Sequence, residues 1–305
     1  MSEKYYNDAN GSDINANESK KGGINAGLII LLLGMVTTTT GIIMCKNTDM
    51  NKYFKTKEYN TSVAADKVAN INIESKFGDY TIKKGSGKDI TIDAKGVAED
   101  FTAELKGDTL NITSEKKAAN FWISFPMLTY QSCKVEIVLP EKQYDSLIIN
   151  DGTGDLNLES LKIKEIVSKN GTGDKEFNNI TCDTLNVTNG TGDSKIEDLT
   201  CVSCKFSSGT GDVDFDNINC KEEIEVEFGT GDTTIENSAC SGLNAEHGTG
   251  DFTFSGTVNG DIKIKSGVGD LEVNLTNPET DFGKNGKYKM SIEKGVGDKE
   301  ITYNN

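Results

Sequence analysis

From residue 152 onward, apolar side chains alternate with polar ones in short runs that restart at a fixed distance. The first run places Leu156 and Leu158, then Leu161, then Ile166, and Phe177, Ile196, Phe215, Ile235, Phe254 and Val273 take the position of Leu158 in the runs that follow. Alternation with period two predicts strands that bury one face, and sustained helical spacing of three or four is missing here. Each run is punctuated by one tetrapeptide, Gly-Thr-Gly-Asp, starting at Gly152, Gly171, Gly190, Gly209, Gly229 and Gly248, then Gly-Val-Gly-Asp at Gly267 and Gly295. The starts are 19, 19, 19, 20, 19, 19 and 28 residues apart. A short fixed period of this kind predicts a solenoid, in which one coil cannot bury its own face and stacking supplies the core. The expected fold is therefore all-β, a single-stranded β-solenoid (β-helix) with coils of about 19 residues. Such a coil, at ~3.3 Å per residue, has a perimeter near 60 Å and encloses a cross-section about 10 Å thick.

The tetrapeptide has a structural reading. Two glycines permit positive φ at a coil corner, and an aspartate can bond its own turn backbone. The corner residues expected to do this are Gly152 and Asp155, Gly171 and Asp174, Gly190 and Asp193, Gly209 and Asp212, Gly229 and Asp232, Gly248 and Asp251, Gly267 and Asp270, and Gly295 and Asp298. Thr gives way to Val at Val268 and Val296, which points to β-branched shape as the requirement of that column. Eight carboxylates stacked one coil apart resemble a calcium ladder. At ~4.8 Å in water two of them repel by about 0.9 kcal/mol, whereas a charge-assisted bond to a turn N–H contributes roughly 1.5 to 3 kcal/mol, so the ladder needs no cation. Neither a metal nor another cofactor is expected. Cys182, Cys201, Cys220 and Cys240 share one offset, that of Ile163, and Cys204 falls in the column of Ile166, Leu185 and Leu243. Such thiols read as small buried hydrophobes, with inter-coil disulfides the rival, since stacked coils bring Cα atoms within disulfide range. Cys201 and Cys204 form only half of a zinc or redox motif.

Residues 65–151 alternate in shorter pieces, including Ile71 and Ile73, Ile82, Ile90 and Ile92, Leu110 and Ile112, Val135 and Ile137, and Leu147 and Ile149; Phe77-Gly78-Asp79 looks like a degenerate first corner. Two segments break the pattern. Phe121, Trp122, Ile123, Phe125, Met127, Leu128 and Tyr130 are apolar at odd and even positions alike, with Pro126 among them. They suggest a cap over the first coil or an interaction patch led by Phe121, Trp122 and Phe125. A second insertion, near 274–289, is expected to cap the far end.

The N-terminus is of a different kind. Residues 1–21 are polar and read as a disordered tail, and residues 22–45 carry no charge around Leu28–Leu33. That length matches one transmembrane helix at ~1.5 Å per residue across a ~30 Å core, and residues 46–64 then read as a juxtamembrane linker. No Ala-x-Ala cleavage site follows the apolar run, and Ile42-Ile43-Met44 lacks the small residues a lipid-attachment box places before its cysteine, here Cys45. Lys46, Lys52, Lys55 and Lys57 outnumber Lys20 and Lys21, a mild bias toward a cytoplasmic C-terminal domain that long domains can override.

Charge and composition narrow the partners. The net charge is −16, and all 32 basic residues are Lys, which removes the planar donor that phosphate and base recognition favours. Nucleic acid is excluded as a partner. One His and repetitive acids argue against an active site, which needs unique charged residues that break a repeat.

Through Ile71-Asn72-Ile73, Gly78-Asp79-Tyr80-Thr81-Ile82, Val138-Leu139-Pro140 and the serial Gly-Thr-Gly-Asp, residues 65–305 resemble the putative-adhesin β-solenoid family of bacterial cell-envelope proteins. The resemblance implies a β-helix exposed on the envelope. With no Leu-Pro-x-Thr-Gly sorting signal, attachment falls to the N-terminal helix. The expected function is a membrane-anchored, non-catalytic adhesin-like binding or structural module, its surface ligand a protein, glycan or cationic peptide. The alternatives are an envelope-stress sensor of cationic peptides and, less favoured, a β-helix polysaccharide-degrading enzyme.

Overall fold

The computed structural model describes residues 56–114, 133–282 and 285–304. The expected transmembrane segment at 22–45 and the Phe121, Trp122 and Phe125 patch lie outside the described residues. Among those described, no helix is long and apolar enough to cross a membrane.

Two sheets carry the chain. The N-terminal strands are β1 (Thr56–Ala64), β2 (Asn70–Phe77), β3 (Asp79–Gly85), β4 (Asp89–Ala98), β5 (Thr102–Lys106), β6 (Thr109–Ser114) and β7 (Lys134–Pro140). The regular coils follow as β8 (Tyr144–Thr153), β9 (Leu156–Glu159), β10 (Ile163–Thr172), β11 (Lys175–Thr181), β12 (Thr184–Thr191), β13 (Ser194–Cys201), β14 (Ser203–Thr210) and β15 (Val213–Cys220). They continue as β16 (Glu223–Thr230), β17 (Thr233–Cys240), β18 (Gly242–Thr249), β19 (Phe252–Val258), β20 (Ile262–Val268), β21 (Leu271–Leu275), β22 (Met290–Val296) and β23 (Lys299–Tyr303). Odd strands from β9 to β23 stack in a 12-stranded sheet and even strands from β8 to β22 in an 11-stranded one, so each coil gives one strand to each sheet. The solenoid pairs in parallel and in register: Leu158, Phe177, Ile196, Phe215, Ile235, Phe254 and Val273 are successive partners, all buried.

A second corner accounts for the switch from Leu158 to Leu161. Ser160, Asn179, Asp198, Asn217 and Asn237 occupy the left-handed region with φ of 50–57°. Strict alternation would turn Ile180 outward after Phe177; the left-handed residue between them reverses the alternation, so both are buried. Asn and Asp tolerate that conformation best among residues with a side chain. Asn179 and Asn217 then donate their amides to Ser160 Oγ (3.1 Å) and Asp198 Oδ1 (2.5 Å) of the coil before.

The N-terminal strands β1–β7 depart from expectation. β2 and β3 do form a coil with its corner at Gly78-Asp79, but that coil stacks on β8 and β9, reached only after a long excursion through β4–β7. The excursion is antiparallel where it meets the edge: β1 with β4, β4 with β7, and β5 with β6. β1 belongs to this cap, with Tyr59 edge-on to buried Phe101 at 5.2 Å, so the second half of the stretch assigned to a linker is part of the sheet. Antiparallel strands can fold by local hairpins and end the parallel stack without another coil.

The 274–289 insertion joins β21 to β22. Its Asn277 is buried and accepts from Val258 N–H at 2.8 Å, and its Phe282 packs on Tyr288 and Tyr303 at 5.9 and 6.4 Å. A further coil, β22–β23, lies beyond it, so the insertion covers the end only in part. Met290, Ile292 and Ile301 stay half-buried, and Lys294 and Lys299 stand in the columns of Ser266 and Leu271. Charges in inward columns of a terminal coil discourage further strand addition.

Candidate functional site: the glycine corners and the polar seam beneath them

At each corner three backbone groups bind the neighbouring coil. Taking the corner at 171–174, Gly173 N–H donates to Thr191 O, Lys175 N–H to Asp193 O, and Asp174 N–H to Asp155 Oδ1, each at 2.9 Å. The aspartate bond repeats along the solenoid. Asp155, Asp174, Asp193, Asp212, Asp232, Asp251, Asp270 and Asp298 each donate a backbone N–H to Oδ1 of the aspartate one coil earlier, beginning at Asp79, over 2.7–3.2 Å. The expectation that each carboxylate bonds its own corner is corrected: it bonds the next coil's amide. The carboxylate that would repel its neighbour thus holds that neighbour's N–H, and the ladder templates stacking.

The two glycines also divide their work differently from expectation. Only the second has positive φ, 127–151° from Gly154 to Gly269 and 117° at Gly297. The first needs to be glycine for closeness: a Cβ at Gly190 or Gly229 would lie 2.3 Å from the carbonyl oxygen of the first glycine one coil earlier. The Thr/Val column between them is exposed, with Val268 and Val296 at 49% and 69%, so that column suits β-branched residues through extended backbone and not through packing.

Directly inside the corners runs a polar seam that the tetrapeptide conceals. The residue before each first glycine from Gly152 to Gly267 points into the core, and Ser75 is the ladder partner that precedes them, giving the column Ser75, Asp151, Asn170, Asn189, Ser208, Phe228, His247 and Ser266, whose members are successive partners. Facing it, after each Asp, stand Tyr80, Leu156, Lys175, Ser194, Val213, Thr233 and Phe252. Lys175 is 2% exposed, its Nζ donating to Gly173 O at 2.7 Å and to Asp174 O at 3.3 Å. Burial lowers its pKa and pushes the Asp151 carboxyl up to about 6. His247 sets Nε2 3.0 Å from Gly231 O, and burial lowers its pKa as well. Alternation from Leu147 and Ile149 to Asp151 is the signal that places this column inside, masked because Asp, Asn and Ser directly before Gly also suit a turn.

Cys182, Cys201, Cys204, Cys220 and Cys240 are buried free thiols, with Cys201 and Cys220 direct ladder partners. Burial pushes Cys182 and Cys240 up to about 12, the inert protonated form. Among the described residues no group of three or more His, Cys, Asp or Glu is arranged to hold a metal ion.

The architecture defines a class: an all-β solenoid whose repeated features build the stack. The match with a family model over residues 68–295 is more specific, and the chain belongs to the Toastrack DUF4097 family. Three solved structures are similar to it. A putative adhesin from Bacteroides fragilis NCTC 9343 is 19% identical, covering 80% of this chain and 97% of its own, with a TM-score of 0.46. A putative lipid binding protein from Parabacteroides distasonis ATCC 8503 is 11% identical, with coverages of 81% and 97% and a TM-score of 0.47. A putative cell adhesion protein from Clostridium sporogenes ATCC 15579 is 15% identical, with coverages of 81% and 100% and a TM-score of 0.31. No curated protein matches the chain.

Proposed function

We propose that this protein is a non-catalytic envelope module, anchored by residues 22–45, that holds an elongated adhesin-like surface for a protein or glycan ligand. One observation carries the reading: at the corners and in the seam beneath them, the titratable groups that break the repeat, Asp151, Lys175 and His247, are buried, while the exposed corner aspartates are repetitive and already bonded to the next coil. A hydrolase or lyase needs the opposite, unique acids and bases within reach of a substrate. A regular solenoid instead offers a long, stiff face on which weak contacts recur at coil spacing. The uncharged segment before the solenoid supports membrane attachment by its length, and the absence of arginine together with the net charge of −16 speaks against nucleic acid. The cationic-peptide reading has only that charge behind it.

Amine-reactive biotinylation of intact cells tests the placement. Lys195 and Lys205, both exposed on the regular coils, should be labelled without permeabilisation. Labelling only after the membrane is breached would put the solenoid on the inner side and end the adhesin reading.

A further inference from the structure

In the inward column that faces the seam, the position of Lys175 is filled by Leu156, Ser194, Val213, Thr233 and Phe252 in other buried coils. A lysine there takes an ammonium out of water, which is costly unless the charge is paired or removed. Among the described residues the carboxylates that act on it are Asp151, Asp155 and Asp174, Asp151 the most strongly, and none forms an ion pair with it within contact distance.

The next coil shows what this corner looks like without a lysine. There Asn189, directly above Asn170 in the ladder, donates its amide to Gly192 O at 3.0 Å and lies 3.4 Å from Ser194 Oγ. The equivalent carbonyl one coil earlier, Gly173 O, is taken by Lys175 Nζ at 2.7 Å. The Asn170 amide nitrogen is consequently left buried with no hydrogen-bond partner, while Asn170 Oδ1 accepts from Ser168 Oγ at 2.5 Å. Lysine nitrogen and asparagine carboxamide thus converge on one buried corner. The ladder partner of Asn170 on the other side is Asp151, which also has a buried oxygen without a partner. A nucleophile, an amide electrophile and a carboxyl therefore sit together in a water-poor seam.

We propose that Lys175 and Asn170 are a modification site, at which the lysine amine displaces ammonia from the asparagine side chain to form an intramolecular isopeptide bond, with Asp151 as the proton carrier. The neutral amine nitrogen attacks Asn170 Cγ and a C–N bond forms. Asp151 takes a proton from that nitrogen and delivers one to the departing NH2, the Cγ–Nδ2 bond breaks, and one ammonia leaves. No oxidant or cofactor enters the balance. Burial favours this assignment of roles, because it disfavours the charged amine and the charged carboxylate alike. The product removes the buried ammonium and the orphaned amide nitrogen together, and staples the corner on which the next coil is laid.

Digestion of the folded full chain at glutamates releases the peptide 166–176, which contains both residues. The expected peptide is lighter than its sequence mass by one ammonia, and its Lys175 resists both trypsin and amine reagents after denaturation. An unmodified mass overturns the proposal. A loss of ammonia with Lys175 still cleavable also overturns it, since a succinimide at the Asn170-Gly171 sequence gives the same mass. Asp151→Asn keeps both reacting residues and should restore the full mass in a protein that still folds, as judged by its circular dichroism. If Asp151→Asn forms the bond as completely as the native chain, Asp151 is not the proton carrier and the proposed site fails as stated.

Discussion

Replacing Gly211 by Ala tests how closely the coils stack. The new Cβ would lie 2.2 Å from Gly192 O and 2.6 Å from Gly192 C, both backbone atoms of the coil below. Relief requires the coils to separate, yet they are tied there by Gly192 N–H to Thr210 O and Asp212 N–H to Asp193 Oδ1, each at 2.9 Å. Overpacking of this kind costs about 1–3 kcal/mol. Residue 211 also has φ of +132°, a conformation that adds about 1–3 kcal/mol for a residue with a side chain. The sum for Gly211→Ala is roughly 2–6 kcal/mol, whereas Gly209→Ala, with the clash at 2.5 Å but no positive φ, should cost about 1–3 kcal/mol. Gly242→Ala is the internal control. Its Cβ would meet the flexible Glu223 side chain at 3.4 Å and Asp261 O at an ordinary contact distance of 3.6 Å, so its effect should stay within about 0.5 kcal/mol. Urea midpoints followed by far-ultraviolet circular dichroism rank the three, since long repeat arrays need not unfold in one step. Equal midpoints for Gly211→Ala and Gly242→Ala would refute close backbone stacking at the corners.

The aspartate ladder makes an asymmetric prediction: Asp212→Ala orphans the Asp232 N–H and should cost about 1–3 kcal/mol, whereas Asp298→Ala, in the terminal coil with no later amide to hold, should be near neutral in the same titration. Chelator should leave the midpoint of the native chain unchanged. The seam predicts opposing pH effects. His247, with its pKa lowered, contributes stability that is present above its ordinary value near 6.5 and lost as pH falls through it, so His247→Gln should flatten the acid-side loss of midpoint. Asp151, raised to about 6, contributes stability present below its ordinary 3.8 and lost as pH rises through 6. In an Asn170→Ala background, where no cross-link can form, Asp151→Asn should therefore gain most at neutral pH, and the gain should vanish in acid. Native alkylation should leave Cys182, Cys201, Cys204, Cys220 and Cys240 unmodified and denaturation should expose all five as free thiols; linked peptides from Cys201 and Cys220 would show an oxidised column instead.

The coil itself was legible because two signals coincide in it. The period-two alternation put Leu158 and its successors on one inner column, and the tetrapeptide marked where each coil turns, both as found. What escaped had physical reasons. A corner glycine reads as a conformational requirement, yet Gly190 is there because another backbone passes 2.3 Å from where its Cβ would be, a long-range fact. The left-handed column at Ser160, Asn179 and Asp198 is chemically ordinary and betrayed only by the three-residue step from Leu158 to Leu161. Lys175 follows an aspartate and so looks like a solvated charge. In the N-terminal part, the pairing of β2 with β8 across about 70 residues leaves no local trace, so β1 read as linker and the antiparallel cap as imperfect coils. The corner residues were thus found with their chemistry assigned to the wrong partner, and the seam beneath them was not found.

Removing one whole coil tests the stacked-coil account most directly. Deleting residues 190–208 joins Asn189 to Gly209, returning Phe215 to the ladder position of Ile196 and Cys204's successor Ile224 to that of Cys204. The shortened chain should fold with an unchanged strand signature and a cooperative urea transition, because each coil contacts only its neighbours. Deleting nine residues from the same coil should abolish that transition by turning inner columns outward. If the whole-coil deletion unfolds the protein as completely as the nine-residue one, the coils are not equivalent stacked units and the account is wrong.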